Sequence, residues 1–376
     1  MNKQKIRIGF IGLNPDSHWA AAAHLPALRS LSDDFEIIGV ANRSYESSKK
    51  TAQSLNLPLA FKDAQSLVSS NEIDLVVVTV KVPYHFELVS AALNAGKHVF
   101  CEWPLGNGLG EGRKLAALAR QKGVIAAIGT QMRYAPEVAY LKQLIADGYV
   151  GKVLSTTLIG AGGSWGNETE ADLYYLHDQA NGATMQAIPL AHTLVGLTEV
   201  LGNIEELSAR MLTQFDQVRL TDTGALKPKN TQDQILIHGT LKSGAALSVH
   251  YRGGITRGTN LLWEINGTDG DLQVTGENGH GQIVQLAIKG ARGEEKKLET
   301  LTPPAGVYSG WPSFSGARNV GHLYALIAED IRTGSRKTPD FEDGVALHEL
   351  VDRIEKSSQE KKEAWVRSDS DKKVEP

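Results

Sequence analysis

The chain has a single cysteine, Cys101, among 376 residues. No intrachain disulfide can form, which agrees with a reducing compartment. No stretch approaches the roughly 18 apolar residues that a membrane-spanning helix needs. The first residues, Met1 to Lys5, run straight into a strand and lack the apolar segment of a signal peptide. Basic blocks are missing as well. Lys and Arg total 39 against 43 acidic residues, the net charge is -4, and both signs are interspersed, which argues against direct nucleic-acid binding. There is no internal repeat and no low-complexity linker. These absences leave a cytoplasmic globular protein long enough for two domains.

What is present in the first third is a regular alternation. Apolar runs at Ile6–Gly12, Phe35–Ala41, Leu75–Val80, around Val99, and at Val124–Gly129 read as strands buried on both faces. Helical patterns separate them: one near Trp19 to Leu31, one from Tyr45, one ending at Gly96, and one from Asn107 to Lys122. Gly or Pro marks the turns. This is a doubly wound, parallel α/β sheet, in which ligands lie beyond the C-terminal ends of the strands. In the first turn Gly12 fills the first position of a glycine fingerprint, while Asn14 takes the second and Ser17 roughly the third. Asn tolerates left-handed backbone, so the turn survives. The turn reads either as a pyrophosphate site or as a merely structural turn. The second strand ends in Asn42-Arg43-Ser44 instead of a carboxylate. Nothing there repels a 2′-phosphate, and Arg43 offers a partner for one, or else is a solvated loop charge. The cofactor expectation is therefore NADP or NAD.

Past Gln131 the pattern changes to longer alternating strands. They are expected at Lys152–Ala161, Glu206–Phe215, Gln234–Leu241, Ala246–Tyr251, Asn260–Ile265, Asp271–Val274 and Ile283–Ile288. That composition predicts an open-faced, mostly antiparallel sheet in an α+β domain. Helices are expected at Glu137–Asp147, Ile188–Leu201, Asn319–Arg332 and Phe341–Lys356. The domains divide as 1–130, 131–367 and a polar, disordered tail over 368–376, with the C-terminal helices packing back on the first domain.

The segment Gly96-Lys97-His98-Val99-Phe100-Cys101-Glu102-Trp103-Pro104 joins the other motifs into a recognisable set. With the Gly12 turn, the strand and helix carrying His85, the Gln131–Arg133 segment, Gly148-Tyr149-Val150-Gly151 and the helix carrying His192, the chain resembles the Gfo/Idh/MocA oxidoreductase family along nearly its whole length. Gly162-Gly163-Ser164-Trp165-Gly166 and Gly267-Thr268-Asp269-Gly270-Asp271-Leu272 most resemble the branch of the yeast galactose/lactose regulatory repressor. The resemblance implies a Rossmann domain that binds NAD or NADP, a homodimer through the second sheet, and a sugar-like ligand. For a regulator it implies a partner protein and a nuclear location as well.

The resemblance also marks departures. Family enzymes carry Glu-Lys-Pro in the central motif, and their Lys handles the substrate proton. Here Trp103 stands there, and an indole donates a hydrogen bond but cannot act as a base. Ile188 replaces the family's Asp four residues before the helix His, so only His192 remains as a catalytic candidate, or as a core histidine. Trp103 reads either as a filler of the substrate entrance or as a ring stacked on nicotinamide. Cofactor-lining candidates are Gly12, Asn14, Asn42, Arg43, Ser44, His85, Glu102 and Trp103. Ligand-holding candidates are Arg133, Tyr175 and His177. Three functions follow: hydride transfer with a sugar, polyol or related hydroxy compound, a silent NAD(P)-sensing regulator, or a structural or assembly protein that kept the fold and lost the ligand.

Overall fold

The computed structural model describes residues 4–16 and 19–360. Ser17 and the polar tail over 368–376 lie outside them. The first domain is built on β1 (Ile6–Ile11), β2 (Phe35–Ala41), β3 (Leu59–Ala60), β4 (Leu75–Val78), β5 (His98–Glu102) and β6 (Ala126–Gly129). Every pairing is parallel and the order is β3-β2-β1-β4-β5-β6. The unbroken apolar runs explain this: all four residues of β4, Leu75 to Val78, are fully buried, which only a strand covered on both faces allows. The covering helices are α1 (Leu25–Ser30), α2 (Tyr45–Leu55), α3 (Ala64–Val68), α4 (His85–Asn94) and α5 (Leu109–Lys122). The strand order reverses between β1 and β4, and the Gly12 turn opens beside that switch point.

The second domain begins with α6 (Pro136–Ala146) and β7 (Val153–Gly162). After the short β8 (Glu168–Thr169) come α7 (Ala191–Leu201), β9 (Ile204–Leu212), β10 (Gln217–Leu220), β11 (Leu226–Pro228), β12 (Gln234–Leu241) and β13 (Ala246–Gly253). They are followed by β14 (Leu261–Gly267), β15 (Gly270–Gly276), β16 (Ala287–Arg292) and β17 (Glu299–Leu301). Eight of these strands form one sheet in the order β17-β16-β15-β14-β7-β13-β12-β9. It is antiparallel except between β7 and β13. One face carries Ile237, Val249, Leu158, Trp263, Val274 and Ile288 across the strands into the core against α6 and α7. The other face stays polar and partly wet.

Two expectations are corrected here. The strand expected at Ile283–Ile288 starts only at Ala287, because 281–284 form a turn held by Ile283 N–H on the His280 carbonyl, 2.9 Å. The small sheet β11-β10-β8 was not expected at all, since strands of two to four residues carry too little alternation to read.

Two long helices, α8 (Ser315–Thr333) and α9 (Phe341–Gln359), then return to the first domain. Val320, Leu323, Tyr324 and Ile327 of α8 pack with Phe10 and Phe100. The start of α9 is fixed by a reciprocal cap between Asp340 and Asp343. Its Phe341, Val345 and Val351 complete the core around β5, while Ile354 reaches the second-domain core. At its far end Ser357 and Ser358 hydroxyls accept the Ala209 and Met211 N–H groups of edge strand β9. Helix α9 therefore ties both domains across the cleft. No described helix is long and apolar enough to cross a membrane.

Candidate functional site

The first turn is shaped by Gly12, whose φ is +93°. Its N–H donates to the Ala41 carbonyl at 3.0 Å, and its carbonyl accepts from the Thr79 hydroxyl at 2.7 Å. Asn42 clamps the next residue from both sides. Its side-chain oxygen accepts the Leu13 N–H at 3.0 Å, and its amide donates to the Leu13 carbonyl at 2.8 Å and to the Thr51 hydroxyl at 3.0 Å. That side chain is spent on holding the turn. Asn14 is exposed and its side-chain oxygen accepts the Asp16 N–H, 3.1 Å. Ser44 caps α2 by accepting the Ser47 N–H. Arg43 is exposed beside it, and no described residue pairs with its guanidinium.

Strand β5 delivers the central motif. Glu102 is 9% exposed, and both its oxygens accept from the Gln131 amide at 2.8 Å. One of them also meets His24 Nε2 at 2.9 Å, while His24 Nδ1 meets the Tyr324 hydroxyl at 2.8 Å. A carboxylate this enclosed requires such partners. Burial holds the Tyr324 phenol well above its usual value, with the nearby Glu102 charge acting the same way, so it stays protonated. Trp103 follows through a cis peptide to Pro104 and is 4% exposed. Its indole N–H donates to the Ala187 carbonyl of the second domain at 2.5 Å, and its ring lies 4.4 Å from that of His348 on α9. His85 is buried, with Nδ1 at 2.7 Å from the Pro104 carbonyl and Nε2 at 2.9 Å from the Val80 carbonyl. It pins the motif to the end of β4 from inside and is not presented to the cleft surface. Cys101 is also buried, and burial pushes its thiol well up, which makes it unreactive.

Between the domains, a cleft of about 540 Å³ is lined by Lys81 from the first domain and by Tyr174, Tyr175, His177, Asp178 and Lys229 from the second; neither the central motif nor His192 lines it. Two candidates, Tyr175 and His177, are thus brought together. Lys81 stands 4.2 Å over the Tyr175 ring, a cation–π contact between the domains. Burial, helped by the charge of Lys229, pushes the His177 imidazole down to about 4. Lys229 is itself committed, at 3.1 Å from Asp233 and 2.5 Å from the Thr231 carbonyl. Arg133 is not in this cleft. It faces α9, 3.4 Å from Asp343.

His192 lies at the start of α7, just after the turn whose Ala187 holds Trp103. It is 3% exposed and its Nδ1 has no hydrogen-bond partner. Burial, and secondly the nearby His280, holds its imidazole well below the usual value, so it is neutral at pH 7. No described group of three or more His, Cys, Asp or Glu side chains is arranged to hold a metal ion.

Sequence reading missed His24, Tyr324 and Lys81. His24 and Tyr324 are 300 positions apart and each sits in an ordinary helical pattern, so no local signal marks them. Lys81, between a strand end and Pro83, carried the only hint, as a charge at a strand's C-terminal end.

Residues 6–130 match the family described as "Oxidoreductase family, NAD-binding Rossmann fold", and residues 136–276 match "Gal80p, C-terminal domain". The dehydrogenase aclE of Aspergillus oryzae is 33% identical over 73% of this chain and 77% of its own length. The galactose/lactose metabolism regulatory protein GAL80 of Saccharomyces cerevisiae is 29% identical over 95% of this chain and 93% of its own. The crystal structure of a super-repressor mutant of Gal80p from the same yeast superimposes with a TM-score of 0.87 at 27% identity, covering 95% of this chain and 96% of that one.

Proposed function

Because the chain belongs to the Gfo/Idh/MocA oxidoreductase family with a Gal80-like second domain, we propose that it binds NADP or NAD and transfers hydride to or from a sugar-like or polyol hydroxyl carbon. The residues present fit a dinucleotide in two respects: Gly12, at φ +93° and with no room for a Cβ beside Val80, keeps the first turn tight at the switch point, and Arg43 faces no described acid where a 2′-phosphate would lie. The cofactor, when bound, supplies the hydride chemistry. The rest falls to side chains. Glu102 is held by His24 and Gln131 and fixes the end of β5. His192, neutral and with a free nitrogen, accepts the hydroxyl proton or hydrogen bond that the family assigns to Lys. Tyr175, His177 and Lys81 line a cleft between the domains that would hold the outer part of the ligand.

The observation that carries this reading is His192: a buried imidazole with a free nitrogen, next to the segment that grips the motif. The test is absorbance of reduced cofactor with NADP+ or NAD+ and a panel of sugars and polyols. Turnover on one compound, lost in His192→Ala with cofactor affinity retained, supports it. One observation favours a second reading. Trp103 spends its only polar side-chain atom on Ala187, so the position of the family base is closed. A protein that binds cofactor tightly and turns over nothing would be an NAD(P)-sensing regulator with a protein partner.

Arg43 gives a separate expectation. Arg43→Ala should weaken NADPH binding about tenfold and leave NADH binding nearly unchanged, since only the 2′-phosphate offers it an anion. Parallel titrations with the two reduced cofactors read this directly; equal losses for both would place Arg43 elsewhere.

A further inference from the structure

The loop between β15 and β16 passes against α7 and α8 and carries polar side chains that nothing above uses. His280 lies with its ring centroid 6.2 Å from that of His192. Its Nε2 is inaccessible and has no hydrogen-bond partner, although the residue as a whole keeps some exposure. Gln282 and Asn319, 4% and 1% exposed, each bury a side-chain oxygen without a partner. His192 Nδ1 is a fourth such atom. Buried polar atoms in proteins are nearly always satisfied, and four unpaired ones where this loop meets α7 and α8, two on the loop and one on each helix, mark a place built for a polar guest.

The loop is not loose. Gly279 N–H donates to the Ala161 carbonyl at 2.9 Å, and its carbonyl accepts from the Thr193 hydroxyl at 2.8 Å and the Tyr251 hydroxyl at 2.6 Å. The Asn319 amide donates to the Gln282 carbonyl at 3.0 Å. The edge of Trp165 packs on the His280 ring at 5.8 Å. Gly281 lies directly on Met132, the neighbour of the Gln131 that grips Glu102. The loop therefore connects to the motif through two adjacent residues.

The chemistry of the unpaired atoms selects a class of guest. Two are amide oxygens, which only accept. Two are imidazole nitrogens, which donate or accept according to tautomer. Burial pushes the His280 imidazole down to about 4 and holds His192 lower than usual, so neither ring is cationic at neutral pH. A carboxylate or phosphate would bring more acceptors to acceptors and find no charge on either ring, while the nearby Arg318 guanidinium is engaged by Gln285 of this loop at 2.8 Å. Hydroxyl groups both donate and accept, and they suit all four.

We infer that His280 is a ligand-holding residue of the site that contains His192, the two rings gripping neighbouring hydroxyls of one neutral, polyhydroxylated ligand while Gln282 and Asn319 accept from others. This rests on the reading of His192 given above.

The test uses the full chain with 15N-labelled histidine, first with NADP+ and then with scyllo-inositol, and separately with L-sorbose, at saturating concentration. Ring resonances are assigned with His280→Phe and His192→Ala. The expected result is that one probe shifts both rings along a single binding curve. His280→Phe then weakens that probe about tenfold or more, and His280→Asn, which keeps a polar atom, recovers part of it. Affinity for NADP+ reports folding of each variant. If neither probe moves either ring, the unpaired atoms serve water only and the inference fails. It fails too if His280→Phe binds the probe as the parent does. A chain that binds no NADP+, yet whose two rings still respond together, would sink the oxidoreductase reading and leave the histidine pair standing.

Discussion

Gly12→Val is expected to abolish dinucleotide binding, a loss of about a hundredfold or more in affinity. The reason is local. At φ +93° an L side chain is strained whatever space surrounds it. A Cβ at this position would lie 2.5 Å from the Val80 side chain and 3.3 Å from the backbone of Thr79 and Val80. Those residues follow β4, on the rim where the cofactor should lie. Relief requires the turn to lift away from β4, which breaks the Thr79–Gly12 hydrogen bond and displaces the Leu13 N–H from Asn42. Both the clash and the repair spoil the pyrophosphate seat. Gly12→Ala separates the effects, since it meets the same strain with less bulk and should lose less. Circular dichroism and a thermal melt on each variant show whether the sheet has survived. A folded Val variant with parental affinity would remove the cofactor from this turn.

Trp103→Ala is expected to cost about 3–5 kcal/mol of stability, read as a lower urea midpoint. The side chain is 4% exposed and sits in the core with Leu105, Phe341 and Val345. Three contributions are lost at once: packing in the first domain, the ring contact with His348 of α9, and the hydrogen bond to Ala187 across the domain boundary. Trp103→Phe keeps most of the burial and forfeits the indole N–H, and should cost only about 1–2 kcal/mol. A drop below about 1 kcal/mol for the alanine variant would mean that Trp103 does not bind the domains together. The alternative, a ring offered to the nicotinamide, would then be the better account. From sequence Trp103 read either as a filler of the substrate entrance or as a ring stacked on the nicotinamide, and its tie between the domains was not legible there. Its partners, Ala187 and His348, come from distant parts of the chain.

Much of the fold was legible because it rests on period. Continuous apolar runs such as Leu75–Val78 announced buried parallel strands, and alternation announced the second sheet. What escaped was short or irregular: β8, β10 and β11, the late start of β16, and the parallel pairing of β7 with β13, which no single strand's pattern encodes. The helix after the Gly12 turn opens with a π-helical stretch, Ala20–His24, before α1. That widened turn directs His24 toward Glu102, and no spacing rule foretells it. Site residues divide the same way. Gly12 and Glu102 were proposed from motif, and Tyr175 and His177 do meet in one cleft. Asn42 was a cofactor-lining candidate, and its side chain is spent bracing the turn. Arg133 was read as a ligand contact and faces Asp343. In both cases the residue type was noticed correctly, but its partner came from another part of the chain.

The measurement that bears most directly on the account is a calorimetric titration of NADPH, and then NADH, into the full chain. The account predicts one saturable site per chain for NADPH, tighter than for NADH, with heat lost in Gly12→Val. No binding of either cofactor by a folded protein would contradict it, and would leave the Gly12 turn as scaffold alone.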